Sequence, residues 1–204
     1  ENDLLIADNY YCTRNNVAYV VDHGGDVLVR YRSPKISLHT ETGKHFPLLD
    51  RLRALKSGDV GDWNVRFAHP TRKGEWVTGR LLALRKSEQA AAKERENIRA
   101  EARKKHRQVR PETLEQAGYV QVFTTVTRHY YDGQTLLQLY RSRWQVELVF
   151  KRMKGLLALG HLPKQDETSC YSWFYGKLIL ALLAELLHRH AESFSPWGYP
   201  IGGG

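Results

Sequence analysis

The segment from Tyr140 to Lys154 constrains this chain most, because its charged and apolar residues separate onto two faces of a helix. At about 100° per residue, four side chains fall within about 60° of one another: Tyr140, Arg143, Glu147 and Lys154. An apolar stripe occupies the other side: Val146, Val149, Phe150, Met153 and Leu157. The pattern predicts a helix anchored by its apolar back, with one carboxylate held between cations and a phenol. An ordinary amphipathic helix with a salt-bridged face is the alternative interpretation of the same pattern.

The charge of the whole chain limits the class of partner. A length of 204 residues suits one or two domains, and a net charge of +9 favours DNA, RNA or an acidic membrane. The longest apolar run, Leu178 to Leu187, is too short to span a membrane and predicts a buried helix. Cys12 and Cys170 fit neither a disulfide framework nor a zinc site, so we expect a reducing, cytoplasmic setting.

The N-terminal part of the chain predicts two strands and a candidate ligand between them. Leu4 to Ala7 is a short apolar run typical of a buried strand, and Asp8 follows it directly. Ligand-binding groups of α/β sheets commonly lie at such a strand end, although an Asp that caps the following turn fits the sequence too. Asp26 to Tyr31 predicts the second strand, with Asp22 as a turn residue.

The middle of the chain, 33–118, alternates short strand-like pieces with Pro and Gly and predicts a β-rich insertion. It contains two tryptophans, Trp63 and Trp76, which either pack on the sheet or stack on a nucleotide base. Tyr119 to Val126 is β-branched and aromatic, so it returns the chain to the sheet. Asp132 is then the expected N-cap of the helix that contains Tyr140.

A charged helix is predicted for residues 87–107, within the insertion. Residues 85–110 contain ten Lys or Arg against four Glu, a net charge of +6. A solvated helix with Glu–Lys pairs accounts for part of this charge. One cluster exceeds what the neighbouring glutamates can neutralise and is a candidate for contact with a phosphate backbone: Arg103, Lys104, Lys105 and Arg107.

The spacing Tyr-x2-Arg-x3-Glu-x6-Lys, formed here by Tyr140, Arg143, Glu147 and Lys154, resembles the signature of DDE transposases of the insertion-sequence-four type. The resemblance implies an α/β chain with an incomplete RNase H-like fold, interrupted by a β-rich insertion with a basic helix. It assigns 1–32 and 119–190 to the catalytic core, 33–118 to the insertion, and 191–204 to an irregular tail.

The same resemblance implies the chemistry. Asp8 looks like the family's second catalytic aspartate and Glu147 like its glutamate, and both would bind Mg²⁺ or Mn²⁺ for two-metal strand cleavage and transfer. Tyr140, Arg143 and Lys154 would contact double-stranded DNA, namely terminal inverted repeats and target DNA. A nucleoid-associated homodimer without a membrane partner is expected. One position departs from the family's Asp-x-Gly-aromatic pattern, because Tyr10 stands where glycine is usual.

The family's first catalytic aspartate is expected on a strand well upstream of Asp8, and only seven residues precede Asp8 here. We therefore expect an N-terminally truncated transposase that is inactive alone. The alternative is a remnant that binds DNA without catalysis.

Overall fold

A computed structural model describes residues 3–32, 36–156 and 166–193, and it divides the chain into two units, Glu1–Arg143 and Trp144–Gly204. The strands are β1 (Leu4–Ala7), β2 (Asp26–Arg30), β3 (Val60–Ala68), β4 (Trp76–Arg85) and β5 (Tyr119–Thr124). The helices are α1 (Arg14–Asp22), α2 (Leu48–Arg53), α3 (Glu88–Lys104), α4 (Pro111–Gln116), α5 (Gly133–Leu156) and α6 (Glu167–Ser193).

The first unit is built on one five-stranded sheet with the order β1-β2-β5-β4-β3. β1 and β2 are parallel, with Leu4 opposite Asp26 and Ala7 opposite Val29, as expected for strands joined through a crossover helix such as α1. The remaining pairs are antiparallel. The fold is therefore α/β, and strands from the region 33–118 continue the sheet that β1 and β2 begin.

Strand alternation gives the sheet two packed faces. On the first face, Phe67 and Phe123 meet edge to face at 5.7 Å in a cluster that includes Val17 of α1. On the second face, Leu28 and Leu82 pack with Leu136 of α5. Each fully buried side chain of this size contributes roughly 1.5–3 kcal/mol to folding, so these clusters fix α1 and the start of α5 on the sheet.

Local sequence signals set the helix starts. The Thr13 hydroxyl accepts a hydrogen bond from the Asn16 N–H at 3.2 Å and caps α1. The Asp132 carboxylate accepts from the Thr135 N–H at 2.7 Å, which confirms its prediction as the cap of α5. This bond also holds the pKa of Asp132 below its usual range.

The apolar run 178–187 was predicted to form a buried helix, and that prediction is wrong about burial. The run lies within α6, but Ile179 is 57% exposed and Leu182 is 63% exposed. No helix in the described ranges is long and apolar enough to cross a membrane.

A polar clamp ties the β3–β4 turn to α1. The buried His69 ring accepts from the Arg72 N–H at Nδ1 (3.0 Å), so Nε2 carries the proton and donates to Asp22 at 3.2 Å. Arg72 donates to the other oxygen of the same carboxylate. Asp22, expected to be a turn residue, therefore joins two parts of the fold.

Replacing Asp22 by Ala should lower the free energy of unfolding by about 1–3 kcal/mol, because it leaves the buried His69 N–H without its acceptor. Urea denaturation followed by tryptophan fluorescence measures this change. Asp50→Ala, at an exposed site on α2, is the control and should shift stability much less. Equal midpoints for the two variants would contradict the clamp.

Candidate active site

The strand register places Asp8 beside Arg30 at one edge of the sheet. Ala7 is the last residue of β1 and pairs with Val29, so the next residues along the two parallel strands are Asp8 and Arg30. Asp8 is exposed. Its carboxylate accepts a hydrogen bond from the Asn9 N–H, and its carbonyl accepts one from the Tyr11 N–H at 3.1 Å. Asp8 therefore caps the turn and also presents its carboxylate at the carboxyl ends of two parallel strands.

Tyr10 does not strain this turn. Within the described ranges, His106 is the single non-glycine residue with a positive φ, so position 10 does not need glycine for its backbone conformation. The Tyr10 side chain is 75% exposed and meets Tyr11 edge to face at 5.6 Å. The departure from the family pattern therefore leaves the turn after Asp8 closed.

Two residues of the Tyr-x2-Arg-x3-Glu-x6-Lys spacing lie in the first unit at this edge. Tyr140 is buried in the second-face cluster, and the Arg143 guanidinium carbon lies 5.8 Å from its ring centroid. Burial raises the pKa of the Tyr140 phenol, the charges of Arg143 and Arg30 oppose that rise, and Asp8 reinforces it. The phenol is therefore protonated at neutral pH and available as a hydrogen-bond donor.

Arg30 completes this group and was not predicted as a site residue from the sequence. It is half-buried; burial lowers its pKa, while the charges of Tyr140, Glu94 and Asp8 act in the opposite direction. An arginine stays protonated in such surroundings. The available signal was its position, because it ends the apolar run of β2 as Asp8 follows that of β1.

The register of β1 and β2 thus sets Asp8 beside Arg30, the Arg143 guanidinium lies near the Tyr140 ring, and the charges of Arg30 and Asp8 both act on the pKa of the Tyr140 phenol. Glu147 and Lys154 belong to α5, but their side chains lie outside the described residues. The structure therefore brings together one carboxylate, two guanidinium groups and a phenol. Such a set can hold an anionic phosphate beside an oxygen ligand.

The other predicted DNA contacts occupy separate places. Arg103 and Lys104 form the exposed last turn of α3, and Lys105 is paired with Glu101 at 2.5 Å. Arg107 is exposed just after the helix, where its N–H donates to Ala102 O at 2.9 Å. All four members of the predicted basic cluster thus lie at the end of α3.

The two tryptophans of the insertion differ in their surroundings. Trp63 packs against the core next to Phe46, at a ring distance of 5.9 Å. Trp76 is 37% exposed, and the Arg66 guanidinium lies over its ring at 4.3 Å. Sheet packing therefore describes Trp63, whereas Trp76 presents a partly open face.

The described side chains do not by themselves form a metal site. No three His, Cys, Asp or Glu side chains among those described come close enough to one another to hold an ion. The Glu147 side chain is not one of those described. Asp8 fits as a hard oxygen ligand for Mg²⁺ or Mn²⁺ because its carboxylate is exposed. The cations beside it suit the phosphate rather than the metal.

Comparisons with a protein-family model and with individual proteins both match this chain to transposases. Residues 1–183 match a family model described as the transposase DDE domain. The chain is 29% identical over 198 residues to the transposase for insertion sequence element IS421 of Escherichia coli, covering 96% of this chain and 53% of that protein. It is 30% identical over 134 residues to the transposase for insertion sequence element IS231F of Bacillus thuringiensis subsp. israelensis, covering 65% of this chain and 27% of that one.

The chain spans about half the length of the first curated relatives it matches. No solved structure matches it.

Proposed function

This chain belongs to the transposase DDE domain family, and from that membership we propose that it forms the C-terminal catalytic part of a transposase of the insertion-sequence-four type. The observation that carries the proposal is the group at the sheet edge, where Asp8 and Arg30 meet Tyr140 and Arg143. The substrate is double-stranded DNA at the terminal inverted repeats of a transposon.

The chain's own residues have distinct roles in strand cleavage. Asp8 and Glu147 would hold divalent ions, which activate the attacking oxygen and stabilise the leaving oxygen when bound. Arg30 and Arg143 present guanidinium forks that match the oxygens of a phosphodiester. The Tyr140 hydroxyl would donate a hydrogen bond to the backbone of the strand end, because its raised pKa keeps it protonated. Lys154 adds a further cation to the same strand.

In this family three carboxylates assemble the metal site, and we propose that Asp8 and Glu147 are two of them. On this proposal the third comes from another part of the transposase, and the chain by itself does not cleave DNA. An RNase H-like core interrupted by 33–118, a homodimer on paired ends, and a cytoplasmic, nucleoid-associated location belong to the same proposal.

Incubation of the chain with Mg²⁺ and a duplex that carries the inverted repeat tests this division of labour. Salt-dependent binding without nicking is expected. Nicking by the wild-type chain that Glu147→Gln abolishes would show that the chain is active alone and would contradict the proposal of a missing carboxylate.

A non-catalytic DNA-binding protein is the second candidate, and the basic end of α3 favours it. Both candidates predict binding to DNA, so the reading frame upstream of Glu1 distinguishes them. An in-frame strand that carries an Asp supports the catalytic proposal, whereas a stop codon supports the second candidate.

Neutralising the basic end of α3 should weaken binding to any duplex. With Arg103, Lys104, Lys105 and Arg107 all changed to Gln, the slope of log K against log salt should fall by about 0.9 for each phosphate that the protein no longer neutralises. Fluorescence anisotropy titrations at several NaCl concentrations between about 50 and 200 mM measure the slope. The double change of Arg51 and Lys56 to Gln, at two exposed positions elsewhere, is the control. A slope equal to that of the wild type would remove α3 from the interface.

A further inference from the structure

A groove of about 560 Å³ opens on the first unit where β3, β4 and the segment after β5 meet. Three arginines, Arg66, Arg80 and Arg128, line it together with Asn64, and Glu41 is its single carboxylate within the described part of the chain. Three threonines also line it: Thr78, Thr125 and Thr127. Neither the resemblance nor the family membership assigns a role to this groove.

The strand register explains why these side chains share one face. Asn64 pairs with Arg80, and Arg66 pairs with Thr78. Val65, between Asn64 and Arg66, and Val77, just before Thr78, belong to the first-face core, as the alternation of side chains along a strand requires. The second face of the sheet is therefore apolar beneath the start of α5 and becomes polar further along β3 and β4, where Arg66 and Arg80 lie.

Arg80 is a fixed part of the groove lining, and Asp62, which does not itself line the groove, holds it in place. The Arg80 side chain is buried and donates to Asp62, to Val126 O at 3.1 Å and to Tyr131 O at 2.9 Å. Arg128 donates to the same Asp62 from an exposed position, with its Nε 3.2 Å from the carboxylate. One carboxylate thus serves two guanidinium groups, which leaves an excess of positive charge at the groove.

Arg66 is the cation that is available for a ligand. Its guanidinium stacks over Trp76, and its Nε is buried without a hydrogen-bond partner among the described residues. Glu41 is occupied, because it accepts a hydrogen bond from the Asn64 amide at 3.0 Å. A buried donor without an acceptor costs about 1–3 kcal/mol, so an incoming acceptor would stabilise this arrangement.

We infer that this groove binds the phosphate backbone of a nucleic acid at a place separate from the Asp8 edge. The Arg66 guanidinium and the N–H groups of exposed Arg128 that Asp62 does not engage would donate to phosphate oxygens, while the hydroxyls of Thr78 and Thr127 and the Asn64 amide supply further donors. These contacts do not read bases, so the groove positions the duplex without selecting its sequence. The inference extends the proposed function, since it adds a second contact to the same DNA.

The sheet geometry gives the spacing of the two contacts. Arg30 pairs with Val122, Val122 with Leu82, and Leu82 with Asp62, which is three strand spacings, or about 14 Å. Arg66 lies four residues further along β3, another ~13 Å. The groove is therefore about 20 Å from Arg30, or roughly six base pairs along a duplex at about 3.4 Å per pair.

Removing the guanidinium groups of the groove tests the inference. Arg66→Gln and Arg128→Gln should each weaken binding to a 30-base-pair duplex by about 3- to 10-fold and lower the salt slope by about one. The effect should be the same for duplexes of unrelated sequence. Arg53→Gln is the matched control, because Arg53 is as exposed as Arg128 and is also paired with a carboxylate, Glu115.

A second variant separates binding from folding. Thr78→Glu adds a negative charge at an exposed position and removes no packed side chain, so it should weaken binding while the melting temperature stays near that of the wild type. Wild-type affinity and slope in Thr78→Glu and Arg66→Gln would overturn the groove. The fourfold variant Arg103→Gln, Lys104→Gln, Lys105→Gln and Arg107→Gln separates the two proposals. If it loses affinity in the same assay while the groove variants do not, the proposed function stands without the groove. Wild-type chain that binds no duplex at low salt overturns both.

Discussion

Replacing Asp8 by Asn is expected to lower the rate of strand cleavage about 1000-fold or more in the longest reading frame that contains this chain. The Asp8 carboxylate is exposed at the sheet edge, the proposed function makes it a metal ligand, and an amide is a much weaker ligand for Mg²⁺. Bound metal contributes several kcal/mol to phosphoryl transfer, and each tenfold change in rate corresponds to about 1.4 kcal/mol. Nicking of an end-labelled inverted-repeat duplex in Mg²⁺ measures the rate.

The loss should affect chemistry and leave binding intact. Asp8→Asn removes a negative charge near Arg30, so its affinity for the duplex should equal or slightly exceed that of the wild type. Asp50→Asn, an exposed carboxylate on α2, is the control and should cleave normally. Cleavage by Asp8→Asn within tenfold of the wild-type rate would show that another carboxylate does this work, and it would refute the role proposed for Asp8.

The residues at the sheet edge were partly predictable because short-range patterns place them. The apolar run Leu4–Ala7 ends at the residue before Asp8, and β1 has the bounds that the sequence predicts. Arg30 needed one more step, namely that β2 is parallel to β1 in a register that sets Arg30 beside Asp8. Strand pairing depends on tertiary contacts that periodicity does not specify.

Other features could not be predicted from local patterns. The prediction that the apolar run in α6 is buried was wrong. An apolar run favours burial, but Ile179 and Leu182 are exposed, so no described residue packs over them. The short helices α2 and α4 were missed because six residues are too few to show a period. The contacts of Arg80 were not predictable because they are distant in sequence. Arg80 binds Asp62, 18 positions away, and its other two acceptors, Val126 O and Tyr131 O, lie 46 and 51 positions away.

Arg80→Leu should be the most destabilising single change on the second face of the sheet, with a loss of about 3–5 kcal/mol in the free energy of unfolding. The substitution leaves Asp62 with Arg128 alone and removes the donor to Val126 O and Tyr131 O. Those carbonyls precede α5, so the start of that helix should loosen and Tyr140 should lose its fixed position. Hydrogen exchange should therefore increase at 126–140 before it increases in β1 and β2.

Arg128→Leu is the control, because the exposed Arg128–Asp62 pair contributes only ~0–1 kcal/mol.

Low pH provides an independent check on Arg80→Leu. Burial alone would raise the pKa of Asp62, but hydrogen bonds from Arg80 and Arg128 hold it below its usual range. A depressed pKa in the folded state stabilises the protein above the unfolded value of about 3.9 and ceases to do so as the pH falls through the folded value. The stability difference between wild type and Arg80→Leu should therefore be full at neutral pH and shrink below about pH 4. A difference that stays constant down to about pH 2, well below the unfolded value of about 3.9, would show that Arg80 acts through packing and not through the Asp62 carboxylate.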